Sequence, residues 1–375
     1  MPASLPQEAI VRILDSLFQD RQTLCNCALV CRQWRSPCRY NLFYRLAISH
    51  RASFELLVRI RDEPHIARAF ENVRSLQLWD DKDEPWIHLF THMFYRRLPQ
   101  MHFLTFGDFI WDILPLDPSF GATGNRFPAV TTLKLANGRF HSFGDFRRLV
   151  CSFTQLIHLY VENVEWRAMT SAHGATSVDS GLQLLWFKSH SKSAISALAD
   201  WLVGSPSTES LKDIQIWEQY SDDLPEVQRL TKAVGPKLEH FQVSLQFWTR
   251  DKRLDLFANT SLKTLHVRDI DSSSCQHLPF LLEHLSPGSL QDLSLYLHIP
   301  SLDDLGVLRG LWGDVADVLA RDAFALLPMV TIWLVQVPPA AAISTADLTG
   351  ELKSWTPLDP ERTYLRVFPL LAFDG

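Results

Sequence analysis

The sequence predicts a mixed α/β chain in two parts: an all-α amino-terminal module of three helices, followed by an α/β solenoid built from repeated units. Two observations carry this expectation. Residues 5–46 place apolar side chains at helical spacing in several short runs. Residues 70–335 then repeat the signature L-x-x-L-x-L at a nearly constant step.

The 375-residue length exceeds one small core, so two units, or one unit and a repeat array, are expected. Apolar residues make up 46% and charged residues 21%, which suits a packed globular chain. A net charge of -6 is mild and argues against nucleic-acid binding by phosphate neutralisation. Six cysteines, four of them within the first 38 residues, form no disulfide framework and point to a reducing, intracellular setting, cytoplasm or nucleus. Cys25, Cys27 and Cys31 lack a second ligand pair at zinc spacing, so they read as small apolar residues and no metal or cofactor is expected. Charges in the first apolar segment argue against a signal peptide, and the apolar stretch 324–335 is too short to span a bilayer.

In the first run, Ile10, Ile13, Leu14 and Leu17 share one helix face, with Pro6 near the start and Glu8 in the first turn. Asp20 is placed to cap a second helix carrying Leu24 and Ala28. Leu29, Val30 and Trp34 continue the pattern, and Leu42, Phe43 and Leu46 are expected in one more helical run. About forty residues in short helices bury little surface alone, so a leftover apolar face implies a partner protein.

The ordered set Leu5-Pro6-x-Glu8, Ile13-Leu14-x-x-Leu17, Leu24, Leu29-Val30-Cys31-Arg32-x-Trp34-Arg35 and Leu42-Phe43 resembles the F-box motif. Ala9 departs from it, standing where a larger aliphatic residue is usual. The resemblance implies a domain over residues 1–48 that docks on the Skp-family adaptor of SCF-type cullin–RING ubiquitin ligases. It also implies that Leu5, Pro6, Glu8, Ile10, Ile13, Leu14, Leu17, Leu29, Val30 and Cys31 make that contact. Trp34 is expected inside the module.

The repeats are read at Val73-Leu76-Leu78, Met101-Leu104-Phe106, Val130-Leu133-Leu135, Leu156-Leu159-Val161, Leu182-Leu185-Phe187, Leu211-Ile214-Ile216, Leu238-Phe241-Val243, Leu262-Leu265-Val267, Leu290-Leu293-Leu295 and Met329-Ile332-Leu334. Eight steps span the 217 residues from Val73 to Leu290, about 27 each, which is the range of leucine-rich repeats. Each unit should hold a short strand and a helical return, stacked because one unit cannot bury its apolar face alone. Returns are expected at 86–98, 143–153, 191–203, 224–234 and 278–285, and a longer helix at 303–325. The array, residues 49–335, is thus expected to be a degenerate leucine-rich-repeat-like horseshoe with parallel strands on its concave face and no regular asparagine ladder. Residues 336–375 read as an irregular cap or tail, and the acidic run 80–84 as a solvated loop.

Strand alternation turns Trp79, Tyr160, Trp186, Trp217, His266, Arg268, Tyr296 and Trp333 toward the open face, an aromatic row suited to a protein substrate. No nucleophile elbow, phosphate loop or metalloprotease motif is present, and His88 and His92 stand without a third ligand, so no enzymatic activity is expected of the chain. The expected role is a substrate receptor of an SCF-type ligase, in a style similar to fungal F-box proteins, with no nucleic-acid or membrane partner. The alternatives are an adaptor-bound scaffold without a degradative role and a protein-binding repeat array outside ubiquitination.

Overall fold

A computed structural model describes residues 6–18, 20–81, 83–111, 123–168, 181–189, 194–217, 224–246, 248, 253–299, 302–324, 327–336 and 363–369. The chain divides into two compact units, Met1–Ser180 and Gly181–Gly375.

The first unit opens with three helices: α1 (Gln7–Ser16), α2 (Arg21–Val30) and α3 (Arg32–Tyr44). Asp20 caps α2 as its sequence position suggests. Its carboxylate accepts from the Thr23 backbone N–H at 2.9 Å and from the Thr23 hydroxyl at 2.6 Å, and those hydrogen bonds hold its pKa below the usual aspartate value. Ile10, Leu14, Leu24 and Cys38 form the core of the module. Leu17, Cys27, Ala28, Trp34 and Leu42 pack around them.

The helical region then feeds a parallel sheet. Strands β1 (Arg45–Ile48), β2 (Ser75–Trp79), β3 (Phe103–Gly107), β5 (Thr132–Ala136) and β7 (His158–Glu162) pair in that order, all parallel. Leu46 therefore lies on β1 and not on a helix. The β-branched Ile48 and the register Leu46↔Leu76 draw this segment into the sheet. Between the strands run α4 (Arg51–Ile60), α5 (Pro64–Phe70), α6 (Ile87–Met93), α7 (Thr123–Arg126) and α8 (Phe143–Cys151). Ser142 and Asp145 build a reciprocal capping box at the start of α8.

Strands β4 (Ile110–Trp111), β6 (Arg139–Ser142) and β8 (Glu165–Ala168) form a second small parallel sheet that the leucine pattern does not announce. It follows a turn repeated after three main strands: Asp108, Asn137 and Asn163 all adopt the left-handed conformation, at φ 54°, 51° and 49°. The Asp108 N–H donates to Ala136 O at 3.0 Å, the Asn137 N–H to Glu162 O at 2.8 Å, and the Asn163 amide to Asn137 Oδ1 at 3.2 Å. The turn thus recurs with a single side-chain bond, Asn163 to Asn137, and does not amount to a regular asparagine ladder among the described residues. The recurrence does not stand out in the sequence because its first position is aspartate and the other two are asparagine. Asn137→Val, which forces a β-branched side chain into positive φ, is expected to lower unfolding free energy by about 1–3 kcal/mol in chemical denaturation, while Asn137→Gly stays near wild type.

The second unit pairs β9 (Leu184–Lys188), β10 (Asp213–Trp217), β11 (His240–Ser244), β12 (Thr264–Ile270), β13 (Asp292–Ile299), β14 (Met329–Gln336) and β15 (Thr363–Pro369) in order, all parallel. Its helices are α9 (Ala194–Val203), α10 (Leu224–Val234), α11 (Leu278–Glu283) and α12 (Leu302–Leu319). Within residues 336–375, expected as an irregular cap or partly ordered tail, strand β15 adds a regular element: the alternating run Tyr364-Leu365-Arg366-Val367 extends the sheet beyond β14. Helix α12 ends six residues earlier than expected, before a turn at Asp322–Phe324.

In the nine copies from Val73 to Leu295, every signature position is at most 5% exposed, so the leucine pattern is the core of both units. The tenth departs: Met329 is half-buried, and Leu327 is buried just before it. The repeat also shows in the backbone. Arg74 O accepts from the N–H groups of His102 and Phe103, and the same forked bond recurs from Lys212 O to Glu239 and His240 and from Lys263 O to Gln291 and Asp292. Strands β3, β11 and β13 thereby enter their sheets through one shared geometry.

Candidate functional site

The three-helix module leaves part of its apolar surface uncovered. Leu29 and Val30 close α2 with 86% and 65% of their surface exposed, and Ile13 on α1 is 45% exposed. Cys31 follows in extended conformation, exposed, with no side-chain cap for α3. The extended residue breaks the helix, so Leu29 and Val30 project from a corner instead of folding back onto the module. Pro6 and Glu8 are exposed at the start of α1, and Leu17 is half-buried. Leu5 lies outside the described residues.

Two expected contact residues face elsewhere. Ile10 and Leu14, four residues apart on α1, point into the core against Leu24 and Cys38 and offer a partner no surface. Phe18, 49% exposed just past α1, extends the uncovered face. Its sequence signal was an aromatic residue one step beyond Leu17.

The second candidate surface is the strand face opposite the buried leucines. In the second unit it carries a connected aromatic strip. The rings of Trp186 and Trp217 lie 6.0 Å apart. The Arg268 guanidinium lies between two rings, 3.9 Å from the centre of Trp217 and 4.4 Å from that of Tyr296. Tyr296 stacks on Trp333 at 5.4 Å and 3°, and His266 meets Tyr296 at 6.1 Å. Trp217 is on β10 and Arg268 on β12. The guanidinium reaches across because the intervening β11 presents small, buried Ser244 opposite Arg268.

Burial pushes the His266 pKa down and the Tyr296 pKa up, so both are held neutral. Arg268 is also pushed down by burial. Asp269 is pushed up by burial, but hydrogen bonds from His298 and Ser244 outweigh that and leave its pKa low. Asp269 occupies φ 53° at a register shift between β12 and β13, which aims its carboxylate at His298 Nε2, 3.1 Å away. Ser244, Asp269 and His298 were not anticipated, since a bulge is invisible to period-2 counting.

In the first unit the same face is discontinuous. Trp79 lies flat over Gly107 of the neighbouring strand, where any Cβ would strike its ring. Tyr160, level with Lys134, stands at the far side of that sheet from Trp79. An ion pair of Lys134 with Glu162, 2.8 Å, occupies the nearby surface. Trp79 and Tyr160 are therefore not brought together.

The acidic run is not wholly solvated: Asp80 is buried, and its Oδ1 accepts from the N–H groups of Trp86 at 2.7 Å and Ile87 at 3.3 Å. Among the described residues, no group of three His, Cys, Asp or Glu side chains converges to hold a metal, and no helix is long and apolar enough to cross a membrane.

The family comparison fits this geometry. Residues 2–49 match the F-box-like family model, so the chain carries an amino-terminal F-box-like domain followed by an α/β region with extensive parallel sheet. A search of curated proteins found no match.

Proposed function

We propose that the chain is a substrate-recognition subunit of an SCF-type cullin–RING ubiquitin ligase. The F-box-like domain binds a Skp-family adaptor, and the parallel-sheet region, a leucine-rich-repeat-like array, binds a protein substrate. The observation that carries this reading is the uncovered corner Leu29–Val30 within the matched residues 2–49: two large apolar side chains left in water by a module too small to bury them. Pro6, Glu8, Ile13, Leu17, Phe18 and Cys31 extend the adaptor face around that corner.

The aromatic strip supports the substrate reading. Trp217, Tyr296 and Trp333 are held rigid by stacking and by Arg268, so ordering them costs little on binding. Bond-making chemistry belongs to other subunits, and the chain contributes proximity. The test is ubiquitin transfer in a reconstituted ligase, using a partner captured by the full chain. Transfer is expected, and Trp217→Ala together with Trp333→Ala is expected to reduce it at least tenfold. Capture without transfer favours a non-degradative scaffold.

A further inference from the structure

Helices α3 and α5 enclose a groove of about 400 Å³ that the adaptor and substrate surfaces do not use. Its walls repeat one spacing: Arg32, Arg35 and Arg39 on α3, and His65, Arg68 and Asn72 on and just beyond α5. Positions i, i+3 and i+7 share a helix face, so each helix turns a polar stripe toward the other. Four arginines thus converge in a chain whose net charge is -6.

Among the described residues, no carboxylate pairs with Arg32, Arg35, Arg39 or Arg68. Arg39 donates to His65 O at 3.3 Å, and Glu63 reaches only His65, at 3.4 Å. Like charges gathered without a counter-charge repel one another, and an anion relieves that repulsion. Arginine forks match phosphate oxygens two at a time.

We propose that this groove binds a compact anion bearing more than one phosphate group. From Arg32 to Arg39 is seven residues, roughly 10 Å along the helix, which one phosphate cannot bridge. The volume falls in the range of about 300–1,000 Å³ typical of small-ligand sites. No aromatic platform lines the groove, which disfavours single-stranded nucleic acid. Because α3 belongs to the F-box-like domain and α5 to the segment behind it, the bound anion ties the two together.

Isothermal titration of the full chain at low ionic strength tests this, with sodium tripolyphosphate and orthophosphate as probes. Saturable one-to-one binding of tripolyphosphate is expected, with orthophosphate at least tenfold weaker and the melting temperature raised by tripolyphosphate. Arg35→Gln with Arg68→Gln, both exposed positions, should weaken tripolyphosphate at least tenfold. Arg35→Lys, which keeps the charge but loses the fork, should fall between and guards against misfolding of the double variant. Arg229→Gln, in the second unit, should leave binding unchanged. Absence of saturable tripolyphosphate binding, binding unaffected by the double variant, or preference for a polyglutamate peptide over tripolyphosphate would overturn the proposal.

Discussion

Replacing Leu29 and Val30 together by aspartate is expected to abolish co-purification with a Skp-family adaptor while the parallel sheets stay folded. These side chains make little contact within the module, so their loss costs the free chain almost nothing. Burying each against a partner contributes about 1.5–3 kcal/mol, and the pair therefore roughly a hundred- to ten-thousandfold in affinity. Aspartate adds the desolvation of two carboxylates in an apolar contact. Pull-down of the variant, with circular dichroism as the folding control, checks both halves of the expectation. Retained binding would place the adaptor face elsewhere on the module.

Leu14→Ala should act in the opposite manner. Leu14 has no exposed surface and packs on Ile10, Leu24 and Cys38, so truncation leaves a cavity costing about 2–5 kcal/mol. A module of some forty residues has little stability in reserve. Amide hydrogen exchange should therefore show loss of protection throughout α1 to α3, with the strands from β2 onward protected as in wild type. Adaptor binding weakens indirectly, and excess adaptor restores it because binding selects the folded module. The two variants separate residues that build the surface from residues that are the surface.

Much of this was legible in the sequence. Helical spacing placed α1 and α2, and Asp20 marked the start of α2. The leucine signature located ten strands and their buried faces, because burying one face of a parallel strand demands period 2 whatever the loops do. The strip from Trp186 to Trp333 follows from the same alternation. Where the reading failed, the cause was local geometry that periodicity does not encode. The i, i+4 pair Ile10 and Leu14 shares a face with the true core, and spacing alone cannot say which edge of an apolar stripe meets solvent. Leu46 continued an apolar pattern that the chain uses as a strand. The recurring turn at Asp108, Asn137 and Asn163 and the bulge at Asp269 depend on left-handed backbone, which aspartate and asparagine permit without announcing it.

The connected strip also explains why single positions are a poor guide to this surface. Arg268 lies between Trp217 and Tyr296, and Tyr296 lies on Trp333, so each side chain is positioned by the next. Substitution of one is expected to move its neighbours, and effects at adjacent positions should not add.

The amino-terminal module is proposed to bind a Skp-family adaptor as an F-box does. Co-expression of the full chain with a Skp-family adaptor, followed by size-exclusion chromatography with light scattering, tests it most directly. A stable one-to-one complex is expected, and it is lost with the Leu29/Val30 aspartate variant. Separate elution of a folded chain and a folded adaptor would contradict it.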